Sequence, residues 1–163
     1  MICMCIRKLL AVAVMLLMLP MVTYAMPRDV REALVYQRAG YTPDDFLGWW
    51  YEKVAGRGRI TVTTGEDGWY GVEVCWSRSG SEVDMWTMSG VPAEDGVLLY
   101  NDCSHYRLAF NGTVVEKEEL VYKDGTGSLF FVGDHEIMWL DNQEHAADNC
   151  VFVYRIPADG GGL

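Results

Sequence analysis

Between residues 48 and 156 the chain is interrupted every few residues by a turn cluster, and no other feature limits its fold so tightly. The separators are Gly65-Glu66-Asp67-Gly68, Arg78-Ser79-Gly80-Ser81, Asn111-Gly112, Lys123-Asp124-Gly125-Thr126 and Gly133-Asp134-His135. Asn-Gly is the strongest of them, because both residues tolerate the positive φ of a tight hairpin turn. Between the separators stand ten runs rich in Val, Thr, Tyr, Phe and Trp, at 48–54, 58–64, 69–77, 82–89, 96–101, 104–110, 114–122, 127–132, 136–140 and 150–156. Links this short join only antiparallel neighbours, since a parallel pair needs a crossover of about a dozen residues or more. The expected fold is all-β: an antiparallel up-and-down meander of about 8–10 strands. Closure into a barrel removes the edges that so long a meander leaves exposed. A two-sheet sandwich is the alternative.

Strand alternation names an inward face. Ile60 and Val62, Tyr70 to Trp76 in steps of two, Trp86 and Met88, Leu98 and Tyr100, Leu129 and Phe131, Ile137 and Trp139, and Phe152 and Tyr154 share it. Thr61, Thr63, Glu73, Ser77, Thr87, Asp141 and Arg155 are read as the wetter set.

What precedes the strands is of a different character. Residues 1–25 carry Arg7-Lys8, the apolar run Leu9 to Met18, Pro20 and a small-residue site ending at Ala25, the order of a secretory signal peptide. The apolar run is too short to span a bilayer, which takes about 20 residues. Residues 26–47 are expected to form a short helix and lead-in, with Pro27 at its start and Gly40 beyond its end. Residues 48–156 are the barrel domain, and 157–163, with three consecutive glycines, a flexible tail.

Export sets both charge and redox chemistry. The whole chain has 13 Lys+Arg against 23 Asp+Glu; without Arg7 and Lys8 the mature part holds 11 against 23, a net charge of −12. That excess repels nucleic acid and anionic membrane surfaces, so neither is an expected partner, and no stable membrane insertion is expected after signal removal. Cys75, Cys103 and Cys150 remain after residue 25, in a compartment that permits disulfides. Cys75 falls mid-strand as a small buried hydrophobe, while Cys103 and Cys150 flank strand ends and are expected to pair. Such a bond would stabilise the fold by about 4 kcal/mol in the chain-entropy account.

The segment Asp45-Phe46-Leu47-Gly48-Trp49-Trp50-Tyr51-Glu52 resembles the Gly-x-Trp-Tyr start of lipocalin and calycin-like barrels. The resemblance implies that Gly48 and Trp50 close one end of the barrel, with an Arg of the last strand, here Arg155, across the Trp50 ring. The chain lacks that family's middle Thr-Asp-Tyr motif and its C-terminal helix. A wider stretch, carrying Val74-Cys75-Trp76-Ser77, Leu98 to Cys103 and Trp139 to Glu144, is similar to small exported bacterial proteins of unknown function.

All six Trp, at 49, 50, 69, 76, 86 and 139, lie in the barrel segment. Trp76, Trp86, Trp139 and Tyr100 are the expected ligand-binding set, lining an open mouth for a small apolar ligand. The competing expectation is that these rings fill the tube, whose interior in an eight-strand barrel is just wide enough for side chains. His135 and His145 stand amid Asp134, Glu136, Asp141, Glu144 and Asp148, without any metal-ligand spacing, and read as a solvated acidic rim. Glu116, Glu118 and Glu119 read as an exposed strand face. Asn111-Gly112-Thr113 matches a glycosylation sequon, but the hairpin accounts for it. No nucleophile elbow, phosphate loop, dinucleotide fingerprint or zinc-protease motif occurs, so neither cofactor, metal nor catalytic residue is expected. The function expected is an exported, non-catalytic binding protein for a small apolar ligand. The alternative is a protein-interaction module, such as an inhibitor of a cationic, lysozyme-like extracellular enzyme, acting through Asp141, Glu144 and Asp148.

Overall fold

Eight antiparallel strands follow one another around a closed ring in the computed structural model, which describes residues 40–93 and 96–155. They are β1 (Gly48–Glu52), β2 (Gly58–Thr64), β3 (Tyr70–Ser77), β4 (Glu82–Ala93), β5 (Val97–Asn111), β6 (Val114–Gly133), β7 (Glu136–Asp141) and β8 (Val151–Arg155). Each pairs with its neighbour in sequence, and β1 meets β8 with Trp49 opposite Arg155 and Glu52 opposite Phe152. The helix, signal segment and tail expected at 1–39 and 157–163 lie outside the described residues. Among the described residues the only helical element is a 3₁₀ turn, Pro43–Phe46.

Ten runs become eight strands because two separators are not turns. Asp102-Cys103 lies inside β5, and Lys123 to Thr126 lies inside β6, where Gly125 stands opposite Cys103 and the register shifts on both sides of that pair. The residues that suit a hairpin, including Asp124 at φ +59°, here make bulges, which bend a continuous strand without reversing it. A twenty-residue strand can wrap a tube only if it bends.

The alternation reading holds along the wall. Ile60, Val74, Leu98, Leu129, Ile137, Trp139 and Phe152 are fully buried. Asp141 is a correction: it shares the parity of Ile137 and Trp139, points inward, and is 1% exposed. One end of the tube is plugged by the 3₁₀ turn. Phe46 packs on Phe131 at 4.4 Å, Tyr41 stacks on the same ring at 4.0 Å, and Trp50 Nε1 donates to the Phe46 carbonyl at 2.7 Å. Asp44 accepts from the Tyr70 hydroxyl at 2.6 Å, tying the plug to β3.

Gly127 is a packing requirement of this arrangement. A Cβ at that position would collide with the Leu140 carbonyl and the Tyr100 hydroxyl, which are hydrogen-bonded to each other across β5 and β7. Gly127→Ala is expected to destabilise the fold by about 2–4 kcal/mol, through overpacking and loss of that buried bond. Urea unfolding measures it, and a loss below about 1 kcal/mol would show that the strands part more easily than the packing implies.

Candidate functional site

Three of the four expected ligand-binding rings meet one another. Trp86, Tyr100 and Trp139 are 3%, 4% and 0% exposed. Trp139 Nε1 donates to the Tyr100 hydroxyl at 2.8 Å, and Trp86 lies edge-on to Trp139 at 5.1 Å. Trp76 is half-buried over Gly58 and edge-on to Phe152 at 6.2 Å. These contacts pack Trp86, Tyr100 and Trp139 against one another within the core.

Above them, at the end opposite the plug, sits a polar layer. His105 is 2% exposed and stacks on Trp86 at 4.3 Å. Its Nε2 is 3.1 Å from Asp84 Oδ1, and its Nδ1 is 2.8 Å from Glu144 Oε2. The Glu144 contact is close but does not meet hydrogen-bond geometry, so Nδ1 has no directed hydrogen bond. Asp84 also meets Arg78 at 3.2 Å and Arg107 at 3.5 Å. Trp86 Nε1 donates to the Tyr122 hydroxyl, which in turn donates to Asp141. Burial, with Asp141 close by, pushes the Tyr122 phenol far up, and burial does the same to Tyr100 against the opposing Trp139 N–H. With a carboxylate near each His105 nitrogen and one ring face on Trp86, the imidazole is enclosed by its neighbours.

The loop from Asn142 to Cys150 closes this end. Asp141 accepts the backbone N–H groups of Gln143 and Glu144, Glu144 reaches His105, and Ala147 is 1% exposed within the core. The acidic rim expected here is therefore partly internal: Asp141 and Glu144 hold the closure, and Asp148 faces His145 at 3.4 Å. Sequence reading passed over His105 and Asp84. The usable clue was their inward parity with Trp86 and Cys103.

Arg155 stands elsewhere than the resemblance implies. Because it pairs with Trp49, it projects on the outer face, over the Tyr51 ring at 5.2 Å, while Trp50 points inward against Phe131 and Tyr154. Gly48 is required in its place, with φ +122° and the Tyr154 ring where a side chain would start.

All three described cysteines are free thiols, which corrects the expected Cys103–Cys150 bond. Fusion of two expected runs into β5 places Cys103 in mid-strand, facing the core, instead of at a strand end. Burial pushes its thiol up to about 12, and burial with Glu73 pushes Cys75 up to about 11 against the opposing Arg59.

Among the surface grooves lined by described residues, two of about equal size lie on the outer wall. One of about 400 Å³ is lined by Tyr51, Arg57, Arg59, Met85, Leu108 and Phe110. Its guanidinium groups already have partners: Arg57 donates twice to the Ser77 carbonyl, and Arg59 meets Glu73 at 3.5 Å. The other, of about 410 Å³, is lined by Trp69, Val91 and Leu99 together with Tyr100, Asn101, Thr126, Gly127 and Asn142. Trp69 is 45% and Leu99 49% exposed. Asn142 Nδ2 donates to Thr126 Oγ1 at 3.1 Å, whereas the Asn101 amide bonds to no described residue. No lining residue of this second groove carries a charge.

Comparison with protein-family models, with curated proteins and with solved structures finds no match to the chain.

Two outcomes are expected. Reductant should leave the unfolding midpoint of the native protein unchanged, with Cys103 reacting with a thiol reagent only after denaturation; a midpoint lowered by reductant would restore the disulfide. The second concerns Glu52, a buried carboxylate in the turn after β1. Burial works to raise its pKa, but the N–H groups of Val54, Ala55, Gly56 and Arg57 outweigh it and hold the carboxyl below its ordinary 4.5. Its stabilisation is full above the unfolded-chain value and is lost as pH falls through the lower folded value. The stability deficit of Glu52→Gln should therefore shrink between pH 7 and pH 3, and a pH-independent deficit in urea melts would contradict this.

Proposed function

We propose that the protein is an exported, non-catalytic β-barrel that binds a small neutral ligand on its outer wall, in the groove beside Trp69. The carrying observation is the lining of that groove: an exposed indole and leucine together with the amides of Asn101 and Asn142 and the Thr126 hydroxyl. An aromatic platform beside convergent amides suits a ring with an apolar face and a hydrogen-bonding edge, the chemistry of a saccharide. Absence of charge in the lining favours a neutral ligand, and the chain's net −10 repels an anionic one. Packing of Trp86, Trp139 and Tyr100 in the interior favours this wall over the mouth. The lipocalin-like reading rests on Gly48-x-Trp50-Tyr51, with Trp50 at the plugged end, and concerns ancestry more than ligand. Export rests on the basic and apolar order of residues 1–25.

Titration with a panel of neutral mono- and disaccharides, with their acidic counterparts as contrast, tests the proposal by tryptophan fluorescence and amide shifts. Neutral sugars should perturb Trp69 and Asn101, and Trp69→Ala should weaken binding by about three- to tenfold, the worth of one ring contact. Perturbation of Trp139 instead, or a preference for the acidic sugars, would sink it.

A further inference from the structure

Closure of the barrel leaves one long edge without a partner among the described residues. β6 has twenty residues, but β7 pairs with it only from Gly127 to Gly133, and the Asn142 N–H extends that pairing to Thr126. On its other side β6 pairs with β5 along its length, and β5 is backed by β4 from Glu82 to Thr87. The stretch Val114–Val121 therefore projects past its short neighbours, exposed on both faces, with no described element along its outer edge. It is about 27 Å of pre-formed, extended backbone.

Its side chains argue against a merely guarded edge. Four of the eight exposed large apolar residues among those described lie here: Val114 at 66%, Val115 at 44%, Leu120 at 52% and Val121 at 37% exposed. Edges guarded against association carry charge or proline in place of such residues. Between the two apolar pairs stand Glu116, Lys117, Glu118 and Glu119, with Lys117 already 3.3 Å from Glu119. The segment thus offers main-chain hydrogen bonds, apolar contacts near both ends and a net negative centre.

We infer that the free edge of β6 from Val114 to Val121 is a strand-addition site for an extended segment of a partner protein, apolar in alternate positions and bearing lysine or arginine at its middle. In this mode backbone bonds supply affinity and side chains supply selectivity. Charge decides against a second copy as the occupant. The symmetric antiparallel register that sets Lys117 opposite Glu119 brings the two Glu118 carboxylates face to face, and each chain carries a net −10. A basic strand meets attraction at both ranges. The inference does not depend on the Trp69 groove.

The probe is an acetylated octapeptide alternating Lys and Val, with a Glu/Val peptide as its contrast, titrated into the isotopically labelled chain. Amide shifts should be confined to 114–121 and the facing part of β5. They should weaken as salt rises. Glu116→Lys combined with Glu118→Lys, both at exposed positions, should lower affinity by about tenfold or more while leaving the rest of the spectrum unchanged. The inference is overturned if the basic peptide at millimolar concentration leaves these amides unmoved, or if the acidic peptide binds equally well. Concentration-dependent dimerisation through the same amides would assign the edge to a second copy. Slow hydrogen exchange in the free monomer at those amides of 114–121 that point away from β5 would assign the edge to another part of the same chain. Either result also refutes the inference.

Discussion

An unpaired strand edge is a row of unmet donors and acceptors, and the architecture of this protein follows from how those edges are disposed of. A meander of eight strands has two terminal edges, and β1 pairing with β8 removes both. That single closure makes an inside, so alternate residues of every strand face a common axis and the aromatic content of the sequence is drawn into it. Closure is also unequal, because strands of five and six residues complete a ring whose longest member has twenty. The same requirement that seals the tube leaves the first half of β6 standing clear of it.

Inside the tube, aromatic packing and polar satisfaction act together. Trp86 is bonded through its N–H to Tyr122, stacked on His105 and edge-on to Trp139, whose own N–H reaches Tyr100. Large rings fill volume that aliphatic chains of the same strands would leave as voids, and the indole N–H groups of Trp50, Trp86 and Trp139 each find an oxygen, as a buried donor must. Asp84, His105 and Glu144 then seal the end, with Arg78 and Arg107 balancing charge against Asp84. Outside this packed and lidded interior, exposed apolar side chains stand on the wall beside Trp69 and along the edge of β6.

Much of the fold was legible from one sequence. Turn clusters separated by alternating runs implied antiparallel order, and parity placed Ile60, Val74, Leu129, Trp139 and Phe152 correctly on the inner face. Reading failed where one local pattern serves two geometries. Lys123 to Thr126 has the composition of a hairpin turn and makes a bulge, because the choice depends on whether Gly125 meets Cys103 across the ladder. The candidate site was less legible. Trp76, Trp86, Tyr100 and Trp139 were singled out as a set; the last three come together while Trp76 packs on Phe152, and sequence alone does not tell a ring that lines a mouth from one that plugs it. Trp69 was read as the first residue of the third run and Asn101 as the last of the fifth, and neither was marked as a ligand contact.

By itself the sequence determined the all-β class, the antiparallel neighbour order and the inward face, because these depend on turn chemistry and a two-residue period, which are local. Only tertiary structure decided which separators bend and which reverse, that Cys103 lies mid-strand as a thiol, that Arg155 rests on Tyr51 and not on Trp50, and that Asp141 and Glu144 close the tube. Each of these depends on which strand stands opposite and how far it extends. That is settled when the ring closes, by strand lengths and bulges summed around its whole circumference.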